Sequence, residues 1–126
     1  MISTLSLVAL GGAIGASLRW LTGVALLRAL GPSDFPLAII TVNVIGSFLM
    51  GVFVVAAAHR GLTHLSPFVM TGVLGGFATF SAFSLETMTL IERGQIASAS
   101  LYILLSVGLS VGALALGLIL ARGVFA

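Results

Sequence analysis

The sequence predicts an all-α integral membrane protein in which four transmembrane helices form a single domain over residues 1–126. Of its 126 residues, 60% are hydrophobic and 6% are charged, and the mean hydropathy is +1.30. A soluble domain carries about 25% charged residues. The five basic and three acidic side chains of this chain cannot solvate a small domain, whose surface is large for its volume. A lipid bilayer is the solvent that fits this composition.

Four hydrophobic stretches are long enough to cross the hydrocarbon core of a bilayer, which takes about 20 helical residues. They cover residues 5–27, 37–58, 65–91 and 96–121. The first stretch contains Arg19 and the third contains Glu86, whereas the second and fourth contain no charge. The N-terminus lacks the basic region of a secretory signal, so residues 1–17 are expected to remain as helix.

Composition argues against several classes of function. The arginines are scattered, and the lack of a Lys/Arg run makes nucleic acid a poor partner. A chain without cysteine has neither a disulfide nor a Cys-ligated metal site. His59 and His64 are expected to be solvated loop residues, because a metal site needs more than two ligands. No Ser/His/Asp set is evident, so an enzyme is not expected.

The arginines near the span ends indicate no preferred orientation. Four spans place both termini and the second loop on one side, with Arg60 and Arg122, and the other two loops opposite, with Arg28 and Arg93. The positive-inside rule is therefore balanced. Such a chain can insert both ways and pair antiparallel; alternatively, lipids or the translocon select one orientation.

Glycines are too frequent for the loops to absorb, at 16 in the chain. Three pairs have the GxxxG spacing that lets helix backbones approach closely in lipid: Gly11/Gly15, Gly72/Gly76 and Gly108/Gly112. These pairs predict tight helix packing and indicate no particular function.

Two polar residues inside the spans are candidates for function, since each is costly in hydrocarbon. Arg19 either extends its long side chain to the membrane surface or lies beside a wet vestibule, where it would concentrate anions. Asn43 either forms a helix–helix hydrogen bond worth about 1 kcal/mol or presents its amide donors to an anion path. The residues alone leave both choices open.

Residues 72–86 contain the densest group of candidates. Three glycines within five residues, followed by hydroxyls and aromatic rings, predict a broken third helix. Such a break must be buried or line a cavity, and its freed carbonyls could coordinate a cation. A continuous, glycine-rich packing helix is the alternative.

Phe80 and Phe83 lie three residues apart and share one face of a helix. Phenylalanine in a span is usually plain apolar surface, but the ring edge carries partial positive charge and could face a small hard anion. Ser81 and Ser84 have the same spacing, and Glu86 follows at the end of the segment.

In the fourth span, Tyr102, Ser106 and Ser110 recur every four residues and lie on one helical stripe. A serine in a membrane helix usually bonds the carbonyl four residues earlier, without further meaning. A phenol and two hydroxyls in register favour a polar track instead.

Residues 11–20, 42–46 and 75–86 together resemble the Fluc (CrcB) family of fluoride channels, over essentially the whole chain. The last segment, with an aromatic and hydroxyl pattern after a double glycine, is the most specific. The resemblance implies an antiparallel, dual-topology homodimer in the bacterial inner membrane, with two fluoride pores and a central structural sodium ion.

The resemblance also implies roles for individual residues. Backbone carbonyls of Gly75 and Ala78 would hold the sodium, and Arg19 would lie in the vestibule. Asn43, Phe80 and Phe83 would lie along the pore, with Tyr102, Ser106 and Ser110 as the polar track. Ser81, Ser84 and Glu86, from the segment after the double glycine, are the further predicted pore residues. The chain departs from the family in having Ala78 and Ile39 where threonine is common.

These features together predict passive export of cytoplasmic fluoride, with membrane lipid and a second copy as partners. One alternative is a coupled transporter of the small multidrug type, which needs a membrane carboxylate, typically in the first helix. Here the first span has Arg19, and Glu86 is the carboxylate within a span. A second alternative is an assembly protein held together by its glycine faces.

Overall fold

The computed structural model describes residues 1–32 and 35–125, and it is all-helical. The long helices are α1 (Ile2–Leu30), α2 (Leu37–Arg60) and α5 (Ile96–Phe125). Between α2 and α5 the chain forms a 3₁₀ turn (Thr63–Leu65), a π-helix (Pro67–Leu74), α3 (Gly75–Phe77) and α4 (Phe80–Glu92). By length and composition, Ile2–Leu30, Leu37–Arg60, Thr63–Glu92 and Ile96–Phe125 can each cross a membrane. The prediction of four spans is confirmed.

The helices run a few residues past the predicted stretches, because their ends carry the basic residues Arg28, Arg60 and Arg122. A cation in the last turn of a helix interacts favourably with the helix dipole. Gly31 and Gly61 then end α1 and α2 with positive φ angles of 76° and 67°, a conformation that glycine adopts without steric cost.

The histidines were expected to be solvated loop residues; both are exposed, but the loop location is wrong for His59. His59 lies in the last turn of α2, and His64 lies in the 3₁₀ turn, because α2 continues to the glycine that ends it. The His59 ring stacks on Phe125 with centroids 6.2 Å apart, and the Arg60 guanidinium lies 5.2 Å from the centre of the same ring. Phe125 thereby fixes the end of α5 against the end of α2.

Glycines allow the closest helix contacts. A side chain at Gly11 or Gly15 would collide with the backbone of the π-helix, and Gly72 lies against Gly11. In the second contact, Gly51 of α2 and Gly117 of α5 each face the backbone of the other helix. The chain therefore packs as two helix pairs: α1 with the first half of the third span, and α2 with α5.

The third predicted glycine pair does not pack within the chain. A Cβ atom at Gly108 or Gly112 would meet nothing within 4 Å among the described residues. In α1 and in α5, only 11% of the most apolar stretch is buried. Both long helices thus present wide apolar faces that the chain itself does not cover.

Candidate functional site

The third span leaves helical geometry at two residues. Ala78 and Thr79 are extended, with φ/ψ of −87°/147° and −146°/124°. Asn43 of α2 bonds this segment twice: Thr79 N donates to Asn43 Oδ1 at 2.8 Å, and Asn43 Nδ2 donates to Thr79 O at 3.2 Å. We call this pair of bonds the clasp.

The clasp fixes which way the Asn43 amide faces. Of the two ends of the amide only Oδ1 can accept from the Thr79 N–H, so Oδ1 faces that amide and Nδ2 cannot exchange places with it. One N–H of Nδ2 donates to the Thr79 carbonyl, and the second is not used in the clasp. Asn43 therefore still has one N–H to donate to its remaining surroundings.

Thr79 also begins the next helix. Its Oγ1 accepts from the Ala82 amide at 3.2 Å and lies 3.2 Å from the Ser81 hydroxyl. This is an N-cap arrangement, in which a threonine in the β region satisfies an orphan amide of the first turn. Thr79 thus bonds Asn43 of α2 through its backbone and caps the first turn of α4 with its side chain.

Arg19 reaches the same region from α1. Its Nε donates to the carbonyl oxygen of Gly76 at 3.2 Å. Gly76 belongs to α3, whose carbonyls lose their helical partners where the chain becomes extended. Since Nε makes this bond, the two terminal nitrogens of the half-buried guanidinium remain for other partners.

A cavity of about 320 Å³ lies beside the extended residues, between α2, α4 and α5. It brings together several residues that the sequence singled out. Its lining includes Asn43, Ala78, Phe80, Phe83, Ser106 and Ser110. Candidates from the second, third and fourth spans therefore meet in one place.

The hydroxyls on α5 differ from those on the other helices. Ser17 and Thr41, for example, bond the carbonyl four residues earlier, at 2.7 Å each. The Tyr102, Ser106 and Ser110 oxygens are buried. The Tyr102 and Ser106 hydroxyls lie near enough to interact with each other, whereas Ser110 has no hydrogen-bond partner among the described residues. A buried hydroxyl without a partner is costly, so Ser110 in particular has a donor to offer to a ligand.

The aromatic rings connect the cavity to this stripe. Phe80 and Phe83 have centroids 5.5 Å apart, and Phe83 lies 5.2 Å from Tyr102. Phe83 is 9% exposed and Tyr102 is fully buried, whereas Phe80 is 77% exposed. Tyr102 lies behind Phe83 and is not part of the cavity lining. Phe80 projects from the chain beside the cavity.

Other predicted site residues lie apart from the cavity lining. Ser81 and Ser84 are exposed, and Ser84 Oγ bonds the Phe80 carbonyl at 3.0 Å. Glu86 is half-buried on α4, one turn further from the break. Arg19 lines a separate groove between α1 and α2 that also contains Ile39.

The carbonyls of Gly75 and Ala78 share one property. In a continuous helix they would accept from the Thr79 and Ala82 amides, four residues later. Here Thr79 N donates to Asn43, and Ala82 N donates to the Thr79 hydroxyl. The two carbonyls assigned by resemblance to a cation are thus among those whose helical donors are diverted.

Two residues of the site were missed. Ser47 lines the cavity, and its position four residues after Asn43 was a usable signal, because residues at this spacing share a helix face. Thr79 lay within the segment that was singled out, but its tie to Asn43 spans 36 positions and has no sequence signal.

Comparison with known proteins gives a consistent result. The profile of the family described as CrcB-like protein, Camphor Resistance (CrcB), matches residues 6–118. A fluoride-specific ion channel FluC of Ruegeria sp. (strain TM1040) is 68% identical over 124 residues, which cover 98% of this chain and 98% of that protein. The protein of the same name from Roseobacter denitrificans (strain ATCC 33942 / OCh 114) is 67% identical over 125 residues, covering 98% and 99%. With matches along nearly its whole length, the chain belongs to the CrcB family.

Proposed function

We propose that the protein is a fluoride-selective channel that lets fluoride leave the cytoplasm passively, without a chemical step. The observation that carries this proposal is the stripe of three buried hydroxyls on α5, of which Ser110 has no hydrogen-bond partner among the described residues. Ser106 and Ser110 of this stripe line the cavity that Asn43 also lines. The relatives named fluoride-specific ion channels support the same assignment.

The chemistry of the cavity suits a small, strongly hydrated anion. Such an ion crosses only where donors replace its water, and serine hydroxyls and the spare Asn43 N–H are donors of this kind. The ring edges of Phe80 and Phe83 add weak positive charge. The Arg19 guanidinium supplies positive potential near the break, which raises the local concentration of anions.

A second copy of the chain would complete the site. Phe80 is 77% exposed beside the cavity, and the glycine pair Gly108/Gly112 has no packing partner within the chain. The balanced arginines favour an antiparallel, dual-topology homodimer, and two copies would build two pores. We place this dimer in the bacterial inner membrane as a multi-pass protein surrounded by lipid.

A central structural sodium ion fits the donor set at the break. Hard cations prefer oxygen ligands, and unwound carbonyls in membrane helices coordinate sodium. The carbonyls of Gly75 and Ala78 lack their helical donors, so each copy would contribute two oxygens to an ion on the dimer axis. A carbonyl ligand is indifferent to the side chain, so Ala78 in place of threonine preserves it.

Fluoride export protects a cell because hydrogen fluoride enters as a neutral acid and dissociates in the more alkaline cytoplasm. Purified protein in liposomes loaded with potassium fluoride tests the proposal, with a fluoride electrode outside. Valinomycin should trigger rapid fluoride release. Matched liposomes loaded with potassium chloride should release no chloride, as measured with a chloride electrode. Proton-coupled cation uptake would instead indicate a transporter of the small multidrug type. No transport of either kind would leave an assembly protein.

A further inference from the structure

The clasp reproduces, at a single residue, the two backbone hydrogen bonds that a β-strand makes with its neighbour. In an extended residue the N–H and C=O point to the same side of the chain, as they do towards a neighbouring strand. The Asn43 carboxamide offers an acceptor and a donor side by side, and it meets both groups of Thr79 at 2.8 and 3.2 Å. The Asn43 side chain therefore makes the hydrogen bonds that a neighbouring strand would otherwise make to Thr79.

The glycines before Ala78 weaken the helix, but they do not fix where the chain becomes extended. Neither Ala78 nor Thr79 is proline or glycine, and the described residues with positive φ are Gly31, Gly61 and Gly94, all distant from the break. Alanine is the best helix former, and a threonine cap accounts for the start of α4 but not for the end of α3. The clasp is the contact from outside the segment that holds Thr79 extended.

We propose that Asn43 is a positioning residue that creates the cation-binding carbonyls by drawing the Thr79 amide away from Gly75. If the third span were continuous, that amide would close on the Gly75 oxygen. One side chain of α2 then has two effects: it presents a donor to the cavity, and it frees an acceptor at the break. This inference rests on the sodium site proposed above.

Sodium-dependent stability tests the coupling. A cation that binds only the folded protein raises the unfolding temperature as its concentration increases. In the purified protein, the sodium concentration that gives half of this rise should increase at least tenfold in Asn43→Ala. Asn43→Asp keeps an oxygen for the Thr79 amide and should restore the response. The control is Thr41→Ala, whose hydroxyl bonds Leu37 within α2 and whose loss should change nothing.

A second measurement uses the wild-type protein, in case Asn43→Ala does not fold. The clasp is internal to the chain, so amide exchange at Thr79 should be slow with sodium and equally slow with N-methylglucamine in its place. Fast exchange without sodium would mean that the cation orders the break, and it would overturn the inference. An unchanged sodium midpoint in Asn43→Ala would overturn it as well.

The same measurements separate this inference from the proposed channel. A wild-type protein that releases fluoride but shows no response to sodium would overturn the positioning role and leave the channel intact. A wild-type protein that responds to sodium, loses the response in Asn43→Ala and carries no fluoride would support the positioning role and overturn the channel.

Discussion

The Arg19 Nε of the first span bonds the Gly76 carbonyl oxygen in the last helical turn before the break, at 3.2 Å. This contact combines the two roles that the sequence left open for Arg19. The side chain does not simply extend to the membrane surface, because it is held at a helix end inside the fold. The terminal nitrogens are not used in that bond, so the same group can still attract an anion.

Arg19→Met should therefore affect both stability and transport. Loss of a hydrogen bond to a charged group costs about 1.5–3 kcal/mol, and fluoride release from liposomes should slow because the positive potential is lost. Arg19→Lys keeps one charge but has a single nitrogen to share between carbonyl and anion, so we expect an intermediate rate. Equal fluoride rates in Arg19→Met and the wild type would contradict a role in anion attraction.

Ser106→Ala and Ser110→Ala should each slow fluoride transport without lowering stability. Ser110→Ala removes a buried hydroxyl without a partner among the described residues, so the free energy of unfolding in detergent should stay the same or rise by about 1 kcal/mol. Ser106→Ala removes a hydroxyl that interacts only with Tyr102 of the same stripe, so its effect on stability should be small. Fluoride release should fall at least tenfold, which corresponds to about 1.4 kcal/mol at the barrier.

The matched control for these serines is Ser17→Ala. Its hydroxyl is exposed and already bonds the Ala13 carbonyl, so both the fluoride rate and the stability should stay close to the wild type. A clear loss of stability in Ser110→Ala would show that this hydroxyl has a protein partner and would argue against the track.

The two phenylalanines should separate packing from transport. Phe80 is exposed and Phe83 is buried against Tyr102, so Phe80→Ile should slow fluoride release without lowering the unfolding temperature or changing the oligomeric state. Phe83→Ala should slow it too and also cost about 3–5 kcal/mol of stability as a cavity mutation. A normal fluoride rate in Phe80→Ile would count against contact between the anion and the ring.

Substitution of glycine by alanine should destabilise the protein where helices are in close contact and not elsewhere. Gly51→Ala places a methyl group against the backbone of α5, and overpacking of this kind costs about 1–3 kcal/mol. Gly23→Ala meets nothing within 4 Å and gains helix propensity, so it should be neutral or stabilising by about 0.5–1 kcal/mol. Thermal unfolding of both variants in the same detergent is the measurement. Equal midpoints would contradict the close packing of α2 on α5.

Antiparallel insertion can be tested by labelling, since the chain contains no cysteine. Ser3→Cys and Gln95→Cys mark opposite ends of the bundle. If both orientations are made, an impermeant maleimide should label about half of each variant in intact cells, as expected for balanced flanking charge. Complete labelling of one variant and none of the other would establish a single orientation.

Much of the fold was predictable because it depends on short-range patterns. The spans follow from the length of apolar runs, and Gly31 and Gly61 end helices as glycine commonly does. The common face of the three hydroxyls on α5 could be predicted as well, because residues four apart on a helix share a face.

The rest depends on contacts between distant positions. Gly51 and Gly117 pack closely although they lie in different spans, while Gly108 and Gly112 have the right spacing and no neighbour within 4 Å. Spacing reports which residues share a face, but not what covers that face. In the same way, the sequence identified Asn43 as polar and costly without indicating that Thr79 would bind it.

The break has a consequence for how the sequence can vary over evolutionary time. Its cation ligands would be main-chain oxygens, which every amino acid carries. The amino acids at positions 75 and 78 can therefore be replaced without loss of the ligand atoms. Selection should instead fall on positions that shape the backbone from a distance, with Asn43 foremost. A saturation mutagenesis scan should therefore find Ala78 more permissive than Asn43, although it is Ala78 that would supply a ligand.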